Sequence, residues 1–255
     1  VLLAIDIGNS NIVFGIFSGD LLIANGRFSS RRDYTTDEVQ LLVRSFLTMK
    51  GTRFEEISGV AICSVVPVLE HTFVQSFSEF LSAPVFVVTP GIRTGIPIRY
   101  ENPKEVGADR IVNAVAAYTE VRGGVIVVDF GTAITFDCIS EDGAYLGGAI
   151  SPGLHIAAEA LYRNTAKLPF IDPEPPAQVV GRNTVESLKS GIFYGFASLV
   201  EGMIRRIQRE IGPVRVYATG GWAEVMAPHI QGIEKVDPWL TLKGLRILYE
   251  RNLTR

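Results

Sequence analysis

The apolar run Leu2-Leu3-Ala4-Ile5 leads into a lone carboxylate at Asp6, then Ile7, a turn of small residues at Gly8-Asn9-Ser10-Asn11, and a second apolar run from Ile12 to Phe17. That pattern predicts a buried strand, a tight turn and a returning strand. Ser18-Gly19-Asp20 makes the next turn and Leu21 to Ala24 a third strand. Thr35-Thr36-Asp37-Glu38 has the form of a helix start, continued by Val39, Leu41, Leu42, Phe46 and Leu47 at helical spacing until Gly51. Ile57 to Val66 reads as a buried strand stopped by Pro67, Val68 to Leu81 as a helix with Leu69, Phe73, Phe77 and Phe80 on one face, and Pro84 to Val88 as a further strand. The first half is therefore three strands, helix, strand, helix, strand.

Thr89 to Tyr100 is rich in Gly, Pro and β-branched residues, the composition of an extended connector. A helix over Ile111 to Glu120 follows. Val125-Ile126-Val127-Val128-Asp129-Phe130-Gly131-Thr132 and the β-branched run after it then repeat the opening design: apolar strand, Asp, one residue, Gly, a small polar residue, returning strand. Ser140-Glu141-Asp142-Gly143 turns the chain again into Ala144 to Ile150. Internal similarity of this kind points to a duplicated folding unit. Further on, Ser151-Pro152-Gly153 starts a helix to about Tyr162, a polar, Pro-rich loop runs to Pro176, and Gly181-Arg182-Asn183-Thr184 leads into a long helix over Ser187 to Ile211. A loop of that length is often functional or packs on a partner chain. Val214 to Gly221 is a strand ending in a small-residue turn, and the final helix begins near Thr241.

With 255 residues, 47% of them hydrophobic and 20% charged, the chain can bury one large core or two modest ones, and the repeat favours two. No apolar run reaches the ~20 residues of a membrane helix, and Asp6 interrupts the N-terminal run at once, so a cytoplasmic protein without a membrane partner is expected. A net charge of −3 and the lack of a basic block argue against a nucleic-acid surface. Cys63 and Cys138 lie in strand-like runs with no metal-ligand spacing, which suits buried reduced thiols.

Chemistry concentrates at two stretches. An aspartate inside an apolar run is costly unless a cation, donor or metal compensates it. Asp6 beside the Gly8 to Asn11 turn can hold a metal, directly or through water, while the turn wraps phosphate oxygens; a plain hairpin accounts for the turn but not for Asp6. In Tyr100-Glu101-Asn102-Pro103-Lys104-Glu105-Val106-Gly107-Ala108-Asp109-Arg110, the last two residues fall in the first turn of a helix or just before it. A helix-start charge and its solvated neighbour would account for them, but Gly107 permits close backbone approach and Tyr100 adds a ring with a polar tip. The Thr219-Gly220-Gly221 turn would let a base or ribose lie against bare backbone, and would equally serve as a strand-to-helix loop.

Six motifs in order, Asp-x-Gly-Asn-Ser-Asn, Asn-Pro-x-x-x-Gly-Ala-Asp-Arg, Asp-x-Gly-Thr-Ala, Gly-Gly-x-Ile-x-Pro-Gly, Thr-Ala-Lys-Leu-Pro and Thr-Gly-Gly, resemble the type III pantothenate kinases, within the superfamily of actin-like ATPases, Hsp70 chaperones and acetate and sugar kinases. The resemblance spans nearly the whole chain. It implies two duplicated ribonuclease-H-like (actin-like ATPase) α/β domains, each a mixed sheet flanked by helices, over residues 1–112 and 113–255, with the active site in the cleft between them. It implies ATP-dependent phosphorylation of pantothenate, the first step of coenzyme A synthesis, by a homodimer needing Mg²⁺ and a monovalent cation, K⁺ or NH₄⁺. By position, Asp6, Ile7, Gly8, Asn9, Ser10, Asn11, Ile12 and Val13 match the ATP phosphate loop, with Asp6 toward Mg²⁺, and Thr132 matches a second ATP contact. Asp109 matches the proton acceptor, with Tyr100, Gly107, Ala108, Arg110 and Thr184 at pantothenate positions, and Asp129 matches the monovalent-cation ligand. Thr219, Gly220 and Gly221 resemble the adenosine motif more loosely. Ser10 departs from the family's more frequent Thr but keeps the hydroxyl. The same fold would also serve a kinase of another acceptor, a polyphosphate phosphatase or a nucleotide-sensing regulator.

Overall fold

The computed structural model describes residues Val1–Leu253, which form two compact units. The first takes residues 1–116 together with the chain from Leu240 onward, and the second takes Ala117–Trp239.

In the first unit β1 (Leu2–Ile7), β2 (Asn11–Ser18), β3 (Leu21–Ser29), β4 (Gly59–Ser64) and β5 (Val85–Val87) form one sheet in the order β3-β2-β1-β4-β5. β1 pairs antiparallel with β2 and parallel with β4, and β4 pairs parallel with β5. The central strands are covered on both sides, so β1 and β4 read as continuous apolar runs rather than alternating ones. Edge strand β3 alternates between exposed and half-buried positions.

One face of this sheet packs on two helices, α1 (Thr36–Met49) and α2 (Pro67–Phe80). α1 begins with the capping box read from the sequence: Thr35 accepts from the Glu38 backbone N–H and the Glu38 carboxylate accepts from that of Thr35. Leu3, Ile5 and Ile7 of β1 and Val60 and Ile62 of β4 enter this core with Val39, Phe46, Leu69, Phe73 and Phe77. Side chains alternate across a strand, so Ala4, Asp6, Ala61 and Cys63 belong to the opposite face. α7 (Leu240–Leu253) packs against β1, β2 and β4, and Thr241 Oγ1 donates to Asn113 Oδ1 of α3 (Ala108–Val121) at 2.8 Å.

The second unit repeats this topology. β6 (Val125–Phe130), β7 (Ala133–Ile139), β8 (Tyr145–Pro152), β9 (Arg215–Thr219) and β10 (Lys235–Val236) lie in the order β10-β9-β6-β7-β8. β6 is antiparallel to β7 and parallel to β9, as β1 is to β2 and β4. α4 (Leu154–Arg163) and α5 (Thr184–Ile211) cover the face carrying Ile126, Val128 and Phe130 through Leu154, Ala158, Phe193, Ala197 and Val200. A short α6 (Ala223–Met226) follows β9. By the same alternation Asp129 stands on the other face, as Asp6 does.

Three expectations differ from the structure. Residues 113–255 do not hold together as one half, because α7 joins the first sheet and the unit boundary falls inside α3. Ser151 and Pro152 close β8 instead of opening a helix, since they pair with Ile134 and Ala133, and Gly153 caps α4. The long helix starts at Thr184, where the Asn183 side chain accepts from Glu186 N at 2.9 Å.

Candidate active-site residues

In the first unit the parallel strands β1 and β4 end together at Ile7 and Ser64, and Asp6 and Cys63 are the register partners one residue before. Ligands of open α/β sheets gather at this carboxyl edge. The Gly8–Asn11 turn that follows is closed by Gly8 N–H donating to Asn11 O at 2.9 Å, and Ser30 fastens it from β3's end through Ser30 Oγ to Gly8 O at 2.6 Å and Ser30 N to Ser10 O at 3.0 Å. Asn9 and Ser10 are exposed at its tip, whereas Ile7 and Ile12 are core residues and Val13 is half-buried. A phosphate group there would therefore meet the tip and backbone, not the side chains of Ile7 or Ile12.

Asp109 occupies the first turn of α3, where the helix dipole favours a carboxylate. Its Oδ1 accepts from Arg110 N–H at 2.8 Å, and a Cβ added at Gly107 would come 2.6 Å from that same oxygen. Glycine at 107 thus gives the carboxylate its room. Burial pushes the Asp109 carboxyl above the ordinary aspartate range; the Arg110 backbone bond and guanidinium pull the other way without cancelling it. The charges of both Asp6 and Asp109 reach the buried Cys63 thiol, which burial pushes well above the usual thiol range. Arg110 is buried and Tyr100 is exposed.

A cavity of about 630 Å³ opens on this side of the unit. Its walls come from Ser64 and Glu70, from Val88–Ile98, and from Asn102–Ile111, including Ala108. Most of the lining is apolar, and Glu70, Lys104 and Asn102 add polar groups, a mixture typical of small-molecule sites. The sequence reading missed the first two walls: Ser64 and Glu70 belong to a strand and a helix read only for their core faces, and Val88–Ile98 carries no motif.

The second unit gathers Asp129, Gly131, Thr132 and Gly220. Gly131 N–H donates to Ala133 O at 3.0 Å, and Gly153 N–H to Thr132 O at 3.1 Å. Gly220 has φ +92°, and a Cβ there would fall on Asp129 Oδ1 and within 2.7 Å of Phe130 backbone atoms. The bare backbone beside the Asp129 carboxylate is thus a cradle that any larger residue would fill. Thr132 and Gly221 are exposed and Thr219 is buried. Thr184 also lies in this unit, as the first residue of α5, whereas Tyr100, Gly107, Ala108, Asp109 and Arg110 lie in the first.

Among the described residues no group of three or more His, Cys, Asp or Glu side chains could hold a metal. Asp6 and Asp129 each offer a single carboxylate, which suits hard cations that keep water or phosphate oxygens in their shell.

Residues 2–206 match the family model described as type III pantothenate kinase. The type III pantothenate kinase of Moorella thermoacetica is 51% identical over 99% of this chain and 100% of its own length, and that of Brevibacillus brevis is 50% identical over 99% of each. Among solved structures, the inorganic polyphosphate/ATP-glucomannokinase of an Arthrobacter species superposes with a TM-score of 0.52 at 17% identity, covering 96% of each chain. A likeness of that level shows the shared fold alone.

Proposed function

This chain belongs to the type III pantothenate kinase family, and we propose that Asp109 is the base with which it phosphorylates pantothenate. The enzyme is a phosphotransferase that makes 4′-phosphopantothenate from ATP and pantothenate, the first step of coenzyme A biosynthesis. The observation that carries the role of Asp109 is its half-buried carboxyl, raised above the ordinary range, at a helix start on the edge of the 630 Å³ cavity. A carboxylate raised above its ordinary range is the stronger base toward a hydroxyl proton.

In the proposed reaction pantothenate enters that cavity with its primary hydroxyl toward Asp109, near Tyr100, Gly107, Ala108 and Arg110. Thr184 is assigned to the acceptor as well. Asp109 takes the hydroxyl proton, the oxygen bonds to the γ-phosphorus, and ADP leaves with the electron pair of the broken bond. Phosphoryl transfer needs little covalent chemistry from the protein, so positioning and charge neutralisation dominate. The Asp6–Val13 segment takes the ATP phosphates and Thr132 a second contact, with Gly220 and Gly221 against the adenosine. Arg110 faces the transferred group. Mg²⁺ held by Asp6, directly or through water, would neutralise phosphate charge, and Asp129 would hold K⁺ or NH₄⁺ in its glycine-lined cradle.

The reading further assigns a homodimer in the cytoplasm, with no nucleic-acid or membrane partner. Exposed Ile150, Ile156, Tyr162, Phe170, Val179 and Val180 on β8, α4 and the segment after it support a partner copy there. No helix among the described residues is long and apolar enough to cross a membrane.

The test is ADP release from Mg-ATP with and without pantothenate, in K⁺ and then in Na⁺ buffer. Pantothenate-dependent release that requires K⁺ is expected. Release indifferent to pantothenate would overturn the acceptor, and equal rates in Na⁺ would overturn the role of Asp129.

A further inference from the structure

We infer that the last turn of α7 is a clasp that sets one wall of the acceptor cavity, with Asn252 and Arg251 as positioning residues for acceptor binding. This rests on the reading that pantothenate occupies the cavity beside Asp109.

The wall in question is the chain from Val88 to Thr94, which supplies Val88, Thr89, Pro90, Gly91, Ile92 and Thr94 to the lining. It belongs to no strand or helix. At its near end Val88 N–H donates to Ile62 O at 2.9 Å, which continues the β4–β5 pairing by one residue. At its far end the bonds come from α7. Arg93 N–H donates to Asn252 Oδ1 at 2.9 Å, and Asn252 Nδ2 donates back to Arg93 O at 3.1 Å. The Asn252 amide thus pairs with both backbone groups of one residue, as a neighbouring strand would. A third bond, Nδ2 to Leu248 O at 2.8 Å, sets the orientation of the amide. Arg251 Nη1 donates to Thr94 O.

Gly95 follows with φ +72°, and a Cβ there would collide with the Arg251 guanidinium. The lining residues Thr89 to Ile92 therefore hang between two fixed points. One is the sheet edge and the other is a helix some 160 residues later in the chain. Loops that line sites are drawn from weakly held segments, so the anchor that limits this one governs the shape of the cavity. A wall held in place before the acceptor arrives spares the ordering cost at binding.

The experiment uses the full chain and varies pantothenate and ATP separately in the ADP-release assay. Asn252→Ala removes two bonds to the wall, each of ordinary net strength, and is expected to raise the KM for pantothenate about tenfold while kcat and the KM for ATP stay within about twofold. Asn252→Asp keeps the acceptor for Arg93 N–H and loses the donor, so its KM falls between the two. Gly95→Ala disturbs the clasp from the loop side and should reproduce the KM rise. A lower melting temperature with an unchanged pantothenate KM would overturn the inference, as would equal damage to kcat and to both KM values. If Asn252→Ala does not fold, the Asn252→Asp enzyme decides the question by the same criterion. Failure of the underlying reading is separately visible, because the wild-type enzyme would then release ADP without regard to pantothenate.

Discussion

Replacing Asp109 by Asn separates its chemistry from its place in the fold. The variant keeps the shape of the side chain, and its amide oxygen can still accept from Arg110 N–H, the bond measured at 2.8 Å. It loses the ability to take a proton. General bases of this kind contribute roughly 10²- to 10⁴-fold, so the barrier should rise by about 2.7 to 5.4 kcal/mol while ATP and pantothenate still bind. Stability should move the other way. Burial raises the Asp109 carboxyl above its unfolded value of 3.8, so its contribution to stability is present in acid and is lost as pH rises through the folded value. Above that value the ionised side chain weakens the fold, and there Asp109→Asn should unfold no more readily than the wild type. The assays are steady-state ADP release across pH and urea unfolding at pH 5 and pH 7.5. In the wild type the acid limb of kcat/KM should lie above the usual aspartate range, and it should vanish in the variant. Turnover within tenfold of wild type, or an acid limb that survives the substitution, would refute Asp109 as the base.

Gly107→Ala should cost turnover with little loss of stability, because the new methyl carbon would sit 2.6 Å from Asp109 Oδ1 and move the carboxylate; normal kcat at saturating substrates would contradict this. Gly220→Ala forces a side chain onto a left-handed backbone at φ +92° and against Asp129. It should therefore destabilise by about 1 kcal/mol or more and weaken K⁺ dependence; an unchanged K⁺ titration would remove Asp129 from the cation site. Tyr145→Phe takes the 2.9 Å hydroxyl donor from the fully buried Asp137 carboxylate. Urea denaturation should show a loss of about 1–3 kcal/mol, and an unshifted midpoint would show that the carboxylate's other partners, Thr135 Oγ1 among them, suffice.

Strand pairs were legible wherever the apolar period and turn chemistry agreed. The Asp6 and Asp129 hairpins share both, and their sheets carry the same strand order. α2 was readable from Pro67 and its Leu69-Phe73-Phe77 face. The destination of α7 was not, because periodicity marks which face of a helix is apolar and not which sheet it will cover. The cavity escaped for a related reason: its walls combine single residues of β4 and α2 with the connector after β5, and only the third wall carries a motif. Asn183 was the signal for the earlier start of α5, a capping side chain three residues before Glu186. The Asn252 amide left no trace in the pattern, since a polar residue late in a helix is ordinarily solvated.

The packing of α7 on the first sheet also orders events during synthesis. Residues 117–239 have their own core and their full set of strands before the ribosome reaches Leu240. Residues 1–116 emerge earlier, yet one side of β1, β2 and β4 stays without its covering helix until translation has passed residue 253. The half made first is thus finished last. Until then its uncovered apolar face is a surface that folding chaperones can hold and that neighbouring nascent chains can meet.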